Sequence, residues 1–438
     1  METLTIIIAI STIVLMMSSV IFFPSIVIFF KAHKSITINC YWVICLLGAI
    51  LMIVCGCVSF DSVIDGITSD AAINPLKILL LFYSMSVMSI ILDELGFFKY
   101  IASVVANKCK SSQKVLFICF YLCVSVLTVF TSNDIIILTF TPFIIFLCRK
   151  LNVNPIPYLI SEFIAANTLS MMLIIGNPTN IYLGSFYGIT FFEYLKVMAL
   201  PTIVTAIVVL VLLLLIFKKQ LSKSIDIDEV NVEKINDKRS VIITVSHLIV
   251  CIILLALSNY LNIQMYLISF ILFITLFVYI IINCIITKKY QIIKNTFKRI
   301  PYDLCPFVLS MFVLVITLKN QGILLELSTV LSKINNDLYS YGVSSFVCSN
   351  FMNNIPMSVM FSEMIVSSNA STTALYATVI GSNLGAYLTP LGALAGIMWL
   401  GLLKNEKVEM SFGKFIIYTG PISLIAMCVS LLLLGFVL

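Results

Sequence analysis

The sequence predicts an all-α polytopic membrane protein, and three observations carry the prediction. Of 438 residues, 61% are hydrophobic and only 11% are charged, against about 25% charged in a soluble chain. Apolar runs of roughly 20 residues, the length that crosses the hydrocarbon core, recur along the whole chain. Between them the basic residues are unevenly placed, as cytoplasmic loops require. So little polar material leaves no room for a sizeable soluble domain. That excludes a nucleic-acid binder and a soluble enzyme, despite a formal net charge of +6.

Taken in order, candidate spans cover residues 4–30, 39–59, 76–94, 155–190, 194–217, 241–259, 262–286, 302–319, 370–403 and 413–437, about ten in all. No basic segment precedes the first, and no small-residue cleavage site follows before Lys31, so it reads as a retained span rather than a signal peptide. Residues 115–148 and 340–366 are too long for one span, and polar residues break each near its middle. Both read as re-entrant helical hairpins. Placing the loop that holds Lys31 and Lys34 in the cytoplasm puts the N-terminus outside, and the C-terminus with it. Of the 26 Lys and Arg, only Lys77, Lys196, Lys319 and Lys333 then lie outside. The assignment holds only if residues 115–148 return to the side they left, because Lys114 precedes them and Arg149 and Lys150 follow.

Residues 218–240 carry both signs (Asp226, Asp228, Glu229, Lys234, Lys238, Arg239) and read as a cytoplasmic linker between residues 1–217 and 241–438. Each half runs in the same order: three spans, an interfacial segment (about 96–112; about 321–338), a hairpin, one long interrupted span and one more span. The first half starts outside and the second inside, so the halves read as inverted repeats. Inverted repeats with discontinuous helices meeting near the midplane are the architecture of secondary transporters. The plainer alternative is an accidental symmetry of an evenly split chain.

Four polar breaks interrupt these apolar segments. They are Thr131-Ser132-Asn133-Asp134 in the first hairpin and Gly176-Asn177-Pro178-Thr179-Asn180 in the span after it. In the second half they are Asn353-Asn354-Ile355-Pro356, then Gly381-Ser382-Asn383-Leu384-Gly385 with Thr389-Pro390-Leu391-Gly392. Irregular backbone at membrane depth survives only where it is buried in protein or lines a wet cavity. Asn, Ser and Thr there supply both donors and acceptors, and exposed helix ends add partial charges. If the breaks converge they form one site, with Ser132, Asn133, Asp134, Asn177, Pro178, Thr179, Asn180, Asn353, Asn354, Asn383, Thr389, Pro390 and Gly392 as substrate- or ion-binding candidates. The alternative is that Asn133-Asp134 and Asn353-Asn354 merely cap helix arms.

Asp134 is the single carboxylate in any break. An ionised Asp at the centre of a span costs roughly 2.5 to 3.5 kcal/mol on insertion scales, so a carboxyl there has a partner or a purpose. Burial disfavours the charged form of a carboxyl, and Asp134 is therefore the candidate for exchanging the coupling proton or helping to hold a cation. Glu162, Asp93, Glu94 and Asp303 lie near predicted span ends, where water is in reach. Glu363 is expected to face the mouth of the second hairpin, and His247 to be a satisfied core histidine. Most of the 13 cysteines lie in apolar runs. Neither zinc spacing nor a disulfide framework is visible, and no metal or cofactor is expected. A phosphate-binding G-x-x-x-x-G-K-[ST], a Gly-x-Ser-x-Gly and an H-E-x-x-H are all missing from the sequence, so neither ATP-driven transport by this chain alone nor hydrolysis has support.

At these breaks the chain resembles a known family. Asn133-Asp134 with Leu138 and Thr141-Pro142, Asn180-Ile181, Asn353-Asn354-x-Pro356, and Gly381-x-x-Leu384-Gly385 through Thr389-Pro390-x-Gly392-x-Leu394-Ala395 to Trp399-Leu400 are similar to the arsenical pump membrane proteins. These are bacterial carriers that export arsenite and antimonite. The likeness runs from about residue 115 to the C-terminus, and more broadly reaches the ion-transporter superfamily of sodium/proton antiporters and sodium/dicarboxylate symporters. The resemblance implies an elevator-type fold in the plasma membrane and proton-coupled efflux, with Na+ as the alternative coupling ion. It leaves room for a cytoplasmic ATPase subunit and for a homodimer, beside a small substrate and membrane lipid. Gly176-Asn177-Pro178-Thr179-Asn180 is closer to the anion-transporter and antiporter branches. A sodium- or proton-coupled carrier of a small anion or carboxylate, citrate- or dicarboxylate-type, or a sodium/proton antiporter therefore stays open. No Lys or Arg lies in any break, so a carboxylate would rely on helix dipoles or bound sodium.

Overall fold

The computed structural model describes residues 1–23, 25–30, 34–68, 74–108, 112–223, 234–334 and 336–438. Lys31, Lys110 and the middle of the expected linker, residues 224–233, lie outside the described residues. The chain opens with α1 (Glu2–Phe22), a two-stranded hairpin of β1 (Ser25–Phe30) and β2 (Lys34–Asn39), α2 (Cys40–Val54), α3 (Phe60–Thr68), α4 (Pro75–Glu94) and α5 (Phe97–Lys108). Then come α6 (Gln113–Phe130), α7 (Asn133–Lys150), α8 (Ile156–Leu169), two 3-10 turns (Ser170–Met172 and Ile174–Gly176), α9 (Pro178–Phe186), α10 (Phe191–Ile216) and α11 (Lys218–Leu221). A similar order follows: α12 (Lys238–Ala256), α13 (Ser258–Leu261), α14 (Met265–Thr287), α15 (Gln291–Arg299), α16 (Leu304–Asn320) and α17 (Ile323–Ser332). The last five are α18 (Asp337–Met352), α19 (Asn354–Ser367), α20 (Thr372–Gly385), α21 (Leu394–Asn405) and α22 (Phe412–Val437).

The first expected span is shorter than its apolar run. Pro24 disfavours helical backbone in the residue before it, and Phe23 accordingly leaves the helix at φ −138°, ψ 62°. The β-branched and aromatic run Ile26-Val27-Ile28-Phe29-Phe30 then suits a strand, which pairs antiparallel with β2 from Ser25↔Asn39 to Phe30↔Lys34. Elsewhere the ends follow local chemistry. At α10, Thr190 Oγ1 accepts from the Glu193 N–H at 3.1 Å and Glu193 Oε2 accepts from the Thr190 N–H at 2.9 Å, a reciprocal capping box. Asp237 caps α12 through the Ser240 N–H.

Among the described residues, eight helical stretches are long and apolar enough to cross a membrane, including Phe191–Ile216, Met265–Thr287 and Phe412–Val437. On α14 the side chains of Ile271, Ile274, Val278, Ile282 and Ile285 are all exposed. Spaced by three and four residues, they form one apolar stripe, a face that lipid covers and water would penalise. The protein is a multi-pass membrane protein.

One apolar cluster joins α1, α2, α4 and α16 through Ala9, Met16, Cys45, Met52, Leu79, Phe82, Phe307 and Met311. A larger one runs through α4 to α10 and α18 to α22. Helix α8 is its axis: every residue from Ile156 to Leu169 is buried, as expected of a helix surrounded by others. Helix α18 lies against α20 along a seam of small residues. A Cβ at Gly381 would overlap Ser345 Oγ and Gly342 O, and one at Gly385 would overlap Ser349 Oγ and approach Phe346 O to 2.8 Å. Close backbone approach over small residues is how helices associate in lipid, where apolar burial gives no driving force.

Candidate functional site

The break between α8 and α9 is built by Asn177. Its Oδ1 accepts the Thr179 N–H at 3.1 Å, and Pro178 occupies the first helical position, where a missing N–H costs nothing. The Asn177 amide then donates across to Asn383 Oδ1 on α20 at 3.1 Å. Asn383 returns its own amide to Asn180 Oδ1 at 2.7 Å and to Val379 O at 2.8 Å, while Ser170 Oγ donates to Asn383 Oδ1 at 2.8 Å. Asn180 Nδ2 donates to Ser170 O at 2.8 Å and Leu173 O at 3.2 Å, and Ser382 Oγ to Thr179 Oγ1 at 3.0 Å. Ser170, Asn177, Thr179, Asn180, Ser382 and Asn383 are all buried, so this network meets its own hydrogen-bonding needs, as buried polar groups must.

A second network ties the second hairpin tip to the break between α20 and α21. Asn350 Oδ1 accepts from the Thr389 N–H at 3.1 Å and from Thr389 Oγ1 at 2.7 Å, and Asn350 Nδ2 donates to Gly385 O at 3.1 Å. Asn353 Nδ2 donates to Leu391 O at 3.4 Å, and the Asn354 N–H to Gly392 O at 3.0 Å. Asn353 takes φ 73°, ψ 153°, a region that is otherwise glycine's. Asn354 is buried, but its side chain makes no hydrogen bond to a described residue. Pro390 lies between Thr389 and Leu391, where it removes one backbone donor from the break.

The first hairpin tip is different. Asn133 Nδ2 donates to Asn167 Oδ1 on α8 at 3.0 Å, but Asn133 Oδ1 and Ser132 Oγ are buried with no partner among the described residues. Asp134 is half-buried and makes no hydrogen bond or ion pair with any described residue. Through Asn167, whose carbonyl accepts from Ser170 Oγ at 2.9 Å, this tip connects to the first network. The candidates thus form linked patches rather than one open pocket.

Asn167, Ser170 and Asn350 were not singled out from the sequence. Each sits in or beside a regular helix; the only local signal is an amide or hydroxyl in an apolar helix. Several ionisable groups also depart from expectation. Glu162 does not reach water: it is 1% exposed, with Thr141 Oγ1 at 3.0 Å from each carboxylate oxygen. Asp93 is buried as well, because Arg299 on α15 reaches across to it at 2.6 Å and to Glu94 at 2.7 Å. Asp303 accepts from Asn39 Nδ2 at 2.5 Å. Glu363 pairs with Lys319 Nζ on α16 at 2.7 Å, which binds the second hairpin to a neighbouring helix. His247 Nδ1 lies 2.8 Å from Ile243 O, the satisfied arrangement expected of it.

A cavity of about 960 Å³ is lined by Asp93, Lys99, Leu138, Pro142, Phe146, Lys298, Arg299, Met398 and Leu402. It reaches α7 one to two turns from Asp134. Between α4 and α16 on one side and α9 and α19 on the other is a tight apolar seam, formed by Phe82, Leu304, Val308 and Phe312 against Pro178, Thr179, Tyr182, Ile355 and Val359. No Lys or Arg bonds to any member of the Asn, Ser and Thr networks among the described residues. The arrangement therefore suits an uncharged polar solute or a small ion held by oxygen ligands.

Residues 35–377 match the family model described as citrate transporter (CitMHS). The chain is 28% identical over 377 residues to the arsenical pump membrane protein of Escherichia coli strain K12, covering 82% of this chain and 86% of that protein. Another Escherichia coli arsenical pump membrane protein is 26% identical over 416 residues, covering 90% and 93%. The likeness read from residue 115 onward thus extends over most of the chain. Among solved structures, the Alcanivorax borkumensis YdaH transporter superposes with a TM-score of 0.57 at 13% identity, covering 99% of this chain and 97% of that one. The fold is therefore that of a transporter, and with a family model matched across more than half its length the chain belongs to the citrate-transporter (CitMHS) family of membrane transporters.

Proposed function

We propose that the protein is a proton-coupled secondary transporter that exports arsenite, as neutral trihydroxyarsenic, or its antimony analogue across the plasma membrane. The observation that carries this reading is the character of the candidate site: amide and hydroxyl donors and acceptors, one unpaired carboxyl at Asp134, and no basic side chain. A trihydroxy solute needs both donors and acceptors and no counter-charge. The names of the relatives support the same substrate. In this reading residues 1–217 and 241–438 are inverted repeats whose hairpins and broken helices form a moving transport domain, with both termini outside. Ser132, Asn133, Asn177, Thr179, Asn180, Asn353, Asn354, Asn383 and Thr389 serve substrate or ion, and Asp134 exchanges the proton.

The second reading, a sodium- or proton-coupled carrier of a small carboxylate, is favoured by the description of the family model. One experiment separates the two. The chain is expressed in an arsenite-sensitive host, and resistance and uptake by everted membrane vesicles are measured with and without a proton gradient. Protection, with uptake lost when the gradient is collapsed, is the expected result. No protection against arsenite or antimonite sinks the first reading, and sodium-dependent citrate or dicarboxylate uptake establishes the second.

A further inference from the structure

The candidate site leaves one buried acid unused. Glu162 lies at the middle of α8, is 1% exposed, and has the Thr141 hydroxyl on α7 at 3.0 Å from each carboxylate oxygen. The indole N–H of Trp399 on α21 faces the same carboxyl and is itself buried, outside hydrogen-bonding geometry with any described residue. Trp399 belongs to an aromatic cluster with Phe163 and Phe415, at ring-centroid separations of 5.1 and 5.7 Å. The basic residues on the helices around α8 are Lys114, Arg149, Lys150, Lys196, Lys404 and Lys414, and none forms an ion pair with Glu162. Asp134 on α7 and Glu193 on α10 do not bond to it, and no tyrosine or cysteine of these helices does.

A carboxyl this deep, with no cation beside it, is unfavourable as an anion unless neutral donors are arranged around it. The two donors present match its two protonation states. A threonine hydroxyl can accept from a carboxylic acid or donate to a carboxylate, whereas an indole N–H can only donate. Thr141 therefore serves either state, and the Trp399 N–H, which only donates, is a reserve that favours the ionised state, whose oxygens are the stronger acceptors. Access is short: Pro142 and Met398, the sequence neighbours of Thr141 and Trp399, both line the 960 Å³ cavity. Thr141 also stands on the same helix as Asp134, about two turns along it.

We propose that Glu162 is a second proton-binding site of the transport cycle, loaded from and released to water in the large cavity between α7 and α21. The inference rests on the proton-coupled reading above and deepens it. The test is infrared difference spectroscopy of the purified full-length protein in lipid nanodiscs across a pH series, with no substrate present. The expected result is a carboxylic-acid carbonyl band that titrates, is lost in Glu162→Gln and is retained in Asp134→Asn. In Trp399→Phe, which keeps the aromatic packing but removes the reserve donor, the same band should persist to more alkaline pH. A Glu162→Gln spectrum identical to that of the unaltered protein, or a Glu162 band that never titrates, overturns the proposal. If Glu162→Gln does not fold, the Trp399→Phe shift decides alone. Failure of the coupling reading is seen separately, as substrate uptake by the unaltered protein that moves no protons even though the band titrates.

Discussion

The two hairpin tips use the same residue types to opposite ends. At the second, Asn353 and the Asn354 N–H are tied to Leu391 and Gly392, and Asn350 fastens Thr389, so the backbone of the tip is held to the neighbouring break, with the Asn354 amide making no hydrogen bond to a described residue. At the first, among the described residues, Ser132 Oγ and Asn133 Oδ1 are buried without partners and Asp134 makes no ion pair. Orphaned buried groups are costly, by about 1–3 kcal/mol each, and are tolerated where a ligand or ion completes them. The contrast sets spare hydrogen-bonding capacity at the first tip against fastening of the backbone at the second. It also shows that a polar break does not by itself reveal which of these it serves.

The comparison can be broken most directly at Asp134. Asp134→Asn should lower gradient-driven uptake by about two orders of magnitude, the scale of a lost proton-transfer group, while the detergent-solubilised protein keeps its melting temperature. Unchanged uptake and pH dependence would take away the coupling role. The second tip should answer in stability instead. Asn353→Ala keeps the strained backbone and loses the amide bond to Leu391, so a loss of about 1–2 kcal/mol is expected by thermal unfolding. Asn353→Gly should recover part of it, because glycine adopts φ 73° without strain.

A cap remote from both tips sets the scale for the smallest effect. Partial burial raises the Asp237 carboxyl, but hydrogen bonds from the Ser240 N–H, Ser240 Oγ and Asn283 Nδ2 outweigh that and hold it below its ordinary value. Because the folded value is the lower one, the stability it adds is present above about pH 4, the unfolded range. It is lost as pH falls through the folded value. Asp237→Ala should therefore cost about 1 kcal/mol near neutral pH, and the difference should vanish in acid.

Much of this architecture was legible because its punctuation is chemical. Gly176-Asn177-Pro178 and Asn353-Asn354-Ile355-Pro356 break apolar runs with residues that cannot continue a helix quietly, and helix ends fall there. What lay hidden depends on partners distant in sequence. Asn167 and Asn350 occupy regular helical positions, and only the folded chain brings them to Asn133 and Thr389. Glu162 was read as reaching water because it lies near the start of the expected span over residues 155–190. The helices packed around α8 close that route, and periodicity within a single segment carries no sign of such packing. The strand pair after Phe23 was missed because an apolar run was counted without weighing Pro24.

The glycine seam between α18 and α20 has a mechanical side. Backbones that interlock over Gly381 and Gly385 cannot slide past one another without Ser345 and Ser349 colliding with them, so these two helices are geared together and should travel as one body. The opposing seam, where Phe82, Val308 and Phe312 meet Ile355 and Val359, contains no such teeth; its apolar surface is smooth, and among the described residues the ion pair that ties these helices is Lys319 with Glu363 beyond the apolar contact. If part of this molecule moves against the rest, the gears predict which helices stay in register, and the toothless seam is where the slip is expected.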